Sequence, residues 1–133
     1  MQTILLTIIT ALISSYLTYY FAIKSKRDEI ILKFKEEKYT QLLILLQGFV
    51  EGTASEKIKR QFFEQHYQSW LYCSDGVTKA INDLITLLDS KREGPYHIGG
   101  GDVLGNIAFE MRKDLLGKTK LKPKDFRYIS IIK

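Results

Sequence analysis

Two side chains on one short stretch could do chemistry together. RQFFEQH, residues 60–66, sets Arg60 and His66 with five residues between them within a helical pattern. A histidine can exchange a proton near neutral pH, and an arginine can hold an anionic oxygen in a fixed fork. The competing reading is a surface arginine and a half-buried histidine beside Tyr67 and Trp70. Little else invites a reaction. The chain has no G-x-x-x-x-G-K-[ST] phosphate loop, no G-x-S-x-G and no H-E-x-x-H. Two histidines and one cysteine, with no C-x2-C or H-x3-H spacing, give no tetrahedral metal set, and nothing calls for a cofactor. Gly99-Gly100-Gly101-Asp102 precedes a helix start and could hold an anion. Asp102 would repel phosphate, however, so the run reads as a hinge.

A second set of polar groups lies in an apolar setting. Residues 3–23 carry no charge, and Lys24, Lys26 and Arg27 follow directly. As a helix this run rises about 32 Å, which matches a hydrocarbon core of about 30 Å. A secretory signal would need a charged start and a shorter apolar core, whereas this chain begins Met1-Gln2-Thr3. The positive-inside rule places the N-terminus outside and the remainder in the cytoplasm. Tyr16, Tyr19, Tyr20 and Phe21 gather at the charged end, as an interfacial belt does.

The span also holds Thr3, Thr7, Thr10, Ser14, Ser15 and Thr18. On a helix, Thr3, Thr7, Thr10, Ser14 and Thr18 share an arc of about 80°. Leu5, Ile8, Ile9, Leu12, Tyr16 and Ile23 take the opposite side. Such a stripe can pack against another helix, line a water-filled pore, or return its hydroxyls to its own backbone in lipid. The first two uses require more than one copy of the chain.

The elements that position these groups read as all-α. The expected organisation is a transmembrane helix over 1–23, a cytosolic bundle over 24–117 and a basic tail over 118–133. Residues 24–50 lack proline and hold Ile31, Phe34, Leu42, Leu45, Leu46 and Phe49 at helical spacing. This predicts a stalk that leaves the membrane and becomes a core element near Tyr39. Thr53 and Glu56 match a capping box for a helix over about 54–73, with Ile58, Phe62, Phe63, Tyr67, Trp70 and Leu71 as its apolar face. Ser74-Asp75-Gly76 breaks it. A third helix runs to about Lys91 on Val77, Ile81, Leu84, Ile85 and Leu88. Residues 93–101 read as a loop, and Asp102 caps a fourth helix that ends at Leu116 with Gly117 as its C-cap. Pro123 could start a short turn, and Ile129–Ile132 a strand-like or docked end. The sum is an antiparallel four-helix bundle below a span.

Charge is uneven. The net +5 conceals a net −1 over residues 1–110 and a net +6 over 111–133. Arg112, Lys113, Lys118, Lys120, Lys122, Lys124, Arg127 and Lys133 carry the excess. A positive tail suits an anionic leaflet or a nucleic acid, against the plainer reading of a solvated lysine-rich end. The lone Cys73 excludes an intrachain disulfide.

Arg60 and His66 resemble the R-x4–6-H motif of HEPN domains, small helical bundles whose nuclease members pair two protomers. In those members the histidine does acid–base work and the arginine holds the phosphate. Gln61 stands where nuclease members carry Asn, Asp or His. One N-terminal span, a helical cytosolic domain and this divergent motif together resemble the small membrane accessory protein encoded beside type VI-B CRISPR RNA-targeting effectors. That resemblance implies an oligomeric pore in the inner membrane of a bacterium, acting in antiviral defence, with an RNA-guided effector or RNA as partner. The aromatic-rich helix over 54–73 is the expected subunit interface. YQSWLYCSDGVTKAIND and FEMRKDLLG also look like segments of small single-pass bacterial proteins, where Trp70, Tyr72, Ser74, Asp75, Asn82, Met111, Arg112, Lys113 and Asp114 would be structural. Two further functions fit the sequence: a membrane-tethered HEPN-type ribonuclease, and a scaffold that recruits a cytosolic partner.

Overall fold

The computed structural model describes residues 1–50, 55–90 and 101–127. These residues are helical, with no strand among them: α1 (Gln2–Leu45), α2 (Glu56–Ser69), α3 (Asp75–Ser90) and α4 (Gly101–Leu116), plus 3₁₀ turns at Leu46–Phe49 and Pro123–Asp125. The chain divides into two units, Met1–Phe34 and the part from Lys35 onward.

The first unit is helical throughout and every one of its residues is exposed. Its helix is long and apolar enough to cross a membrane. Leu and Ile hold it as a helix, and no proline or glycine interrupts it.

The second unit has its own core. Tyr39, Leu42, Leu46 and Phe49 enter it from α1 and its terminal turn, at the spacing of one helical face. Phe62 comes from α2, then Val77, Ala80, Ile81 and Leu84 from α3, and Leu104, Ile107 and Met111 from α4. Each fully buried Leu, Ile or Phe here contributes about 1.5–3 kcal/mol relative to exposure. Phe49, Phe62 and Phe63 meet edge to face, with centroids 5.2–5.8 Å apart. The core therefore begins at Tyr39, as the charged-to-oily switch in α1 predicts. Ile31 and Phe34 lie before it and are exposed.

The helix ends correct the sequence reading of α2. It starts after Ser55, whose carbonyl accepts Lys59 N–H at 2.9 Å, and it stops at Ser69 instead of Cys73. The Ser69 hydroxyl donates to the His66 carbonyl at 2.6 Å, and Trp70 to Cys73 then continue as tight turns. The Thr53 half of the expected capping box, the loop over 93–100 and Ile129–Ile132 lie outside the described residues.

The α2 face also differs from expectation. Tyr67, Trp70 and Leu71 are exposed, while His66 and Ser69 are buried. The expected face spans about 220° of the helix, more than a small bundle can cover. Ile58, Phe62, His66 and Ser69 share about 80°, and this narrower arc turns inward.

The start of α4 also differs: the helix begins at Gly101, so Asp102 lies in its first turn and not at its cap. The remaining described ends follow local signals. Ser74 caps α3, its hydroxyl accepting Val77 N–H at 3.4 Å and its carbonyl Thr78 N–H at 3.0 Å. Gly117 ends α4 with φ 74°, and its N–H returns to the Lys113 carbonyl at 2.8 Å. The segment after Gly117 folds back along α4. Arg112 Nε donates to Thr119 Oγ1 at 3.1 Å, and Gly105 has no Cβ where the Pro123 carbonyl lies against it. Pro123 does start a short turn, closed by Asp125 N–H on the Lys122 carbonyl at 2.9 Å.

Candidate functional site

Arg60 and His66 lie about 120° apart around α2. The Arg60 side chain is 82% exposed and its Nε donates to Glu64 at 3.3 Å. It borders a groove of about 610 Å³ with Glu56, Lys59, Glu64, Phe63 and Asp89. Three carboxylates there outnumber two cations, and Lys59 is bonded to Glu56 at 3.0 Å, so the groove has no field for a phosphate.

His66 does not border that groove. It is 3% exposed, stacks on Phe62 with centroids 6.4 Å apart, and has Ser69 Oγ 3.3 Å from Nδ1. Burial disfavours the imidazolium and lowers its pKa, so the ring is held neutral at physiological pH. A buried neutral ring stacked on phenylalanine cannot exchange a proton with a bound substrate in this geometry. The chain thus keeps the two motif residues apart: one in solvent, one in the core.

The hydroxyl stripe is placed as the helix register dictates. Thr7, Thr10 and Thr18 each donate to the carbonyl four residues back, at 2.8 Å. A hydroxyl satisfied in this way enters lipid at small cost and still offers oxygen lone pairs to a neighbour. Thr3 and Ser14 supply two of the three accepting carbonyls.

The seven described cations of the basic segment, Arg112, Lys113, Lys118, Lys120, Lys122, Lys124 and Arg127, are all exposed. Lys133 lies outside the described residues.

One polar junction escapes a sequence reading. Asp114 Oδ2 accepts from Lys35 Nζ at 2.9 Å and from the Tyr39 hydroxyl at 2.5 Å, and Ser74 N–H reaches that same hydroxyl at 3.4 Å. The junction ties α1, the α2–α3 turn and α4 at one pole of the bundle. Burial raises the Tyr39 phenol, and its bond to Asp114 adds to this. Burial likewise raises the Cys73 thiol beside it, so the lone cysteine is a poor nucleophile. Its partners stand 35, 75 and 79 residues apart in the chain, so no local spacing reveals it. No group of three or more His, Cys, Asp or Glu could hold a metal among the described residues.

No protein-family profile, curated protein or solved structure matches this chain.

Proposed function

We propose that this chain is a single-span membrane protein that works by self-association, its spans forming a pore or perturbing the inner membrane while a non-catalytic, HEPN-like cytosolic bundle assembles and controls them. The observation that carries this reading is the exposed apolar helix over residues 3–23, with one face of five hydroxyls, of which Thr7, Thr10 and Thr18 bond their own backbone. Such a helix inserts at small cost and presents small polar side chains to a second copy. Lys24, Lys26 and Arg27 orient the bundle toward the cytoplasm. Tyr67, Trp70 and Leu71, at 74%, 61% and 90% exposure, give the bundle an aromatic surface for contact between copies. This narrows the interface expected along all of α2 to its C-terminal end. An accessory role beside an RNA-targeting effector in bacterial antiviral defence rests on the CRISPR resemblance alone. Ribonuclease activity is the weaker reading, because His66 is buried away from Arg60.

The test is the mass of the full chain in detergent by light scattering, with ion leakage from vesicles as a second readout. The expected result is a discrete oligomer that leaks. Thr10→Leu with Ser14→Leu should leave insertion intact and weaken assembly or leakage. A monomer that leaves vesicles tight sinks the proposal.

A further inference from the structure

The C-terminal segment is not a loose cationic extension. From Gly117 it turns back over α4, pinned by Thr119, whose Oγ1 accepts both Arg112 Nε at 3.1 Å and Leu121 N–H at 3.2 Å. Further along, Pro123 lies flush against Gly105. Arg112, Lys113, Lys118 and Lys120, at the end of α4 and on the segment folded back over it, are all exposed.

Four cations stand here against few carboxylates, while Lys122 and Lys124 further along share a groove with Asp83 and Asp102. Glu110 reaches Lys113 at 3.6 Å and is largely shielded, with 18% of its side chain exposed. Asp114 is held by Lys35 and Tyr39, and Asp125 accepts Lys122 N–H at 2.8 Å. Interleaved with the cations are Leu116 and Leu121, at 60% and 50% exposure. A surface for single-stranded nucleic acid would instead interleave exposed aromatics on which bases stack. Leucines among lysines match the headgroup boundary of a bilayer, where the leucines insert and the lysines reach phosphate.

We infer that this folded α4–tail surface docks on an anionic phospholipid leaflet, with Leu116 and Leu121 at the acyl boundary and Arg112, Lys113, Lys118 and Lys120 on headgroup phosphates. The inference rests on the membrane reading of residues 3–23, because a span in the same chain joins the bundle covalently to a bilayer. It goes beyond that reading by giving the bundle a lipid preference and a fixed docking face. The like charge of this rim opposes face-to-face pairing of two copies, which leaves contact between bundles to Tyr67, Trp70 and Leu71.

The experiment uses the full chain with Leu121→Cys carrying an environment-sensitive fluorophore, in a Cys73→Ser background. The protein is reconstituted in vesicles of phosphatidylcholine alone or with phosphatidylglycerol. In anionic vesicles the label should be shielded from aqueous iodide, and in neutral vesicles it should be open. Lys118→Glu with Lys120→Glu should lower the docked fraction by about fivefold or more per cation in the docked-to-free ratio. Gly105→Val, which lifts the tail while keeping every cation, should also expose the label. A Thr119→Ala chain gives the same reading where Gly105→Val fails to fold. A label equally open in both lipids, in protein that resists alkaline extraction, overturns the docking and leaves the span standing. Protein that fails to stay with neutral vesicles overturns the span and the docking together. Shielding by an added RNA oligonucleotide but not by anionic lipid overturns the choice of partner.

Discussion

The Tyr39–Asp114–Lys35 junction should couple its members energetically, and its geometry sets the size of the effect. Tyr39 is 2% exposed, and its hydroxyl lies 2.5 Å from an Asp114 carboxylate that is itself 17% exposed. A hydrogen bond to a charged, largely shielded group contributes about 1.5–3 kcal/mol, so Tyr39→Phe should cost about 2 kcal/mol. Asp114→Ala removes the acceptor for both Tyr39 and Lys35 and leaves a partly buried ammonium without its counter-charge, for about 3 kcal/mol. The double variant should lose about 3 kcal/mol rather than about 5, a coupling of about 2 kcal/mol. The assay is urea unfolding of the full chain in a mild detergent, followed by circular dichroism. With an m-value of about 1.5 kcal/mol per molar, Tyr39→Phe should lower the midpoint by about 1.3 M. The junction also has a pH signature. The Tyr39 phenol titrates above its ordinary value of 10.0, so its contribution is full below that pH and is lost as pH rises through the elevated folded pKa. Additive losses in the cycle, within about 0.5 kcal/mol, would refute the reasoning.

Burial lowers the His66 pKa below its ordinary 6.5, so the neutral ring's contribution is complete above that value and is lost as pH falls through the depressed folded pKa. His66→Gln should flatten the acid side of the stability profile, and unchanged acid slopes in the two proteins would contradict the buried placement. Gly117→Ala should destabilise by about 1 kcal/mol from left-handed strain alone, since φ is 74° and nothing lies within 4 Å of an added Cβ. Gly117→Asn should recover part of that loss in the same unfolding assay.

What could be read from the sequence is what depends on neighbours along the chain. Helical periodicity, the stop at Gly117, the break at Ser74 and the short turn at Pro123 are each set within one or two turns of backbone. The hydroxyl register belongs to the same class, because a helix fixes azimuth by residue number alone. So does the onset of the core at Tyr39, where charged residues give way to a run of Leu and Ile.

What only the tertiary structure decided depends on which surfaces meet. The residues of α2 offer more apolar arc than one small bundle can bury. Packing against Phe49 selected Phe62 and carried His66 and Ser69 inward, while leaving Tyr67, Trp70 and Leu71 outside. The composition of that face favours the aromatics. The competition is settled by the neighbouring helices, since only one azimuth can face them. The same holds for Asp114, whose partners are distant in sequence, and for the basic segment. Its lysines are visible in the sequence as a charge excess, but only the fold-back on Thr119 and Gly105 makes them a surface. Local rules set where helices begin, end and point their side chains. Which of those faces meet a neighbour is a property of the assembled bundle.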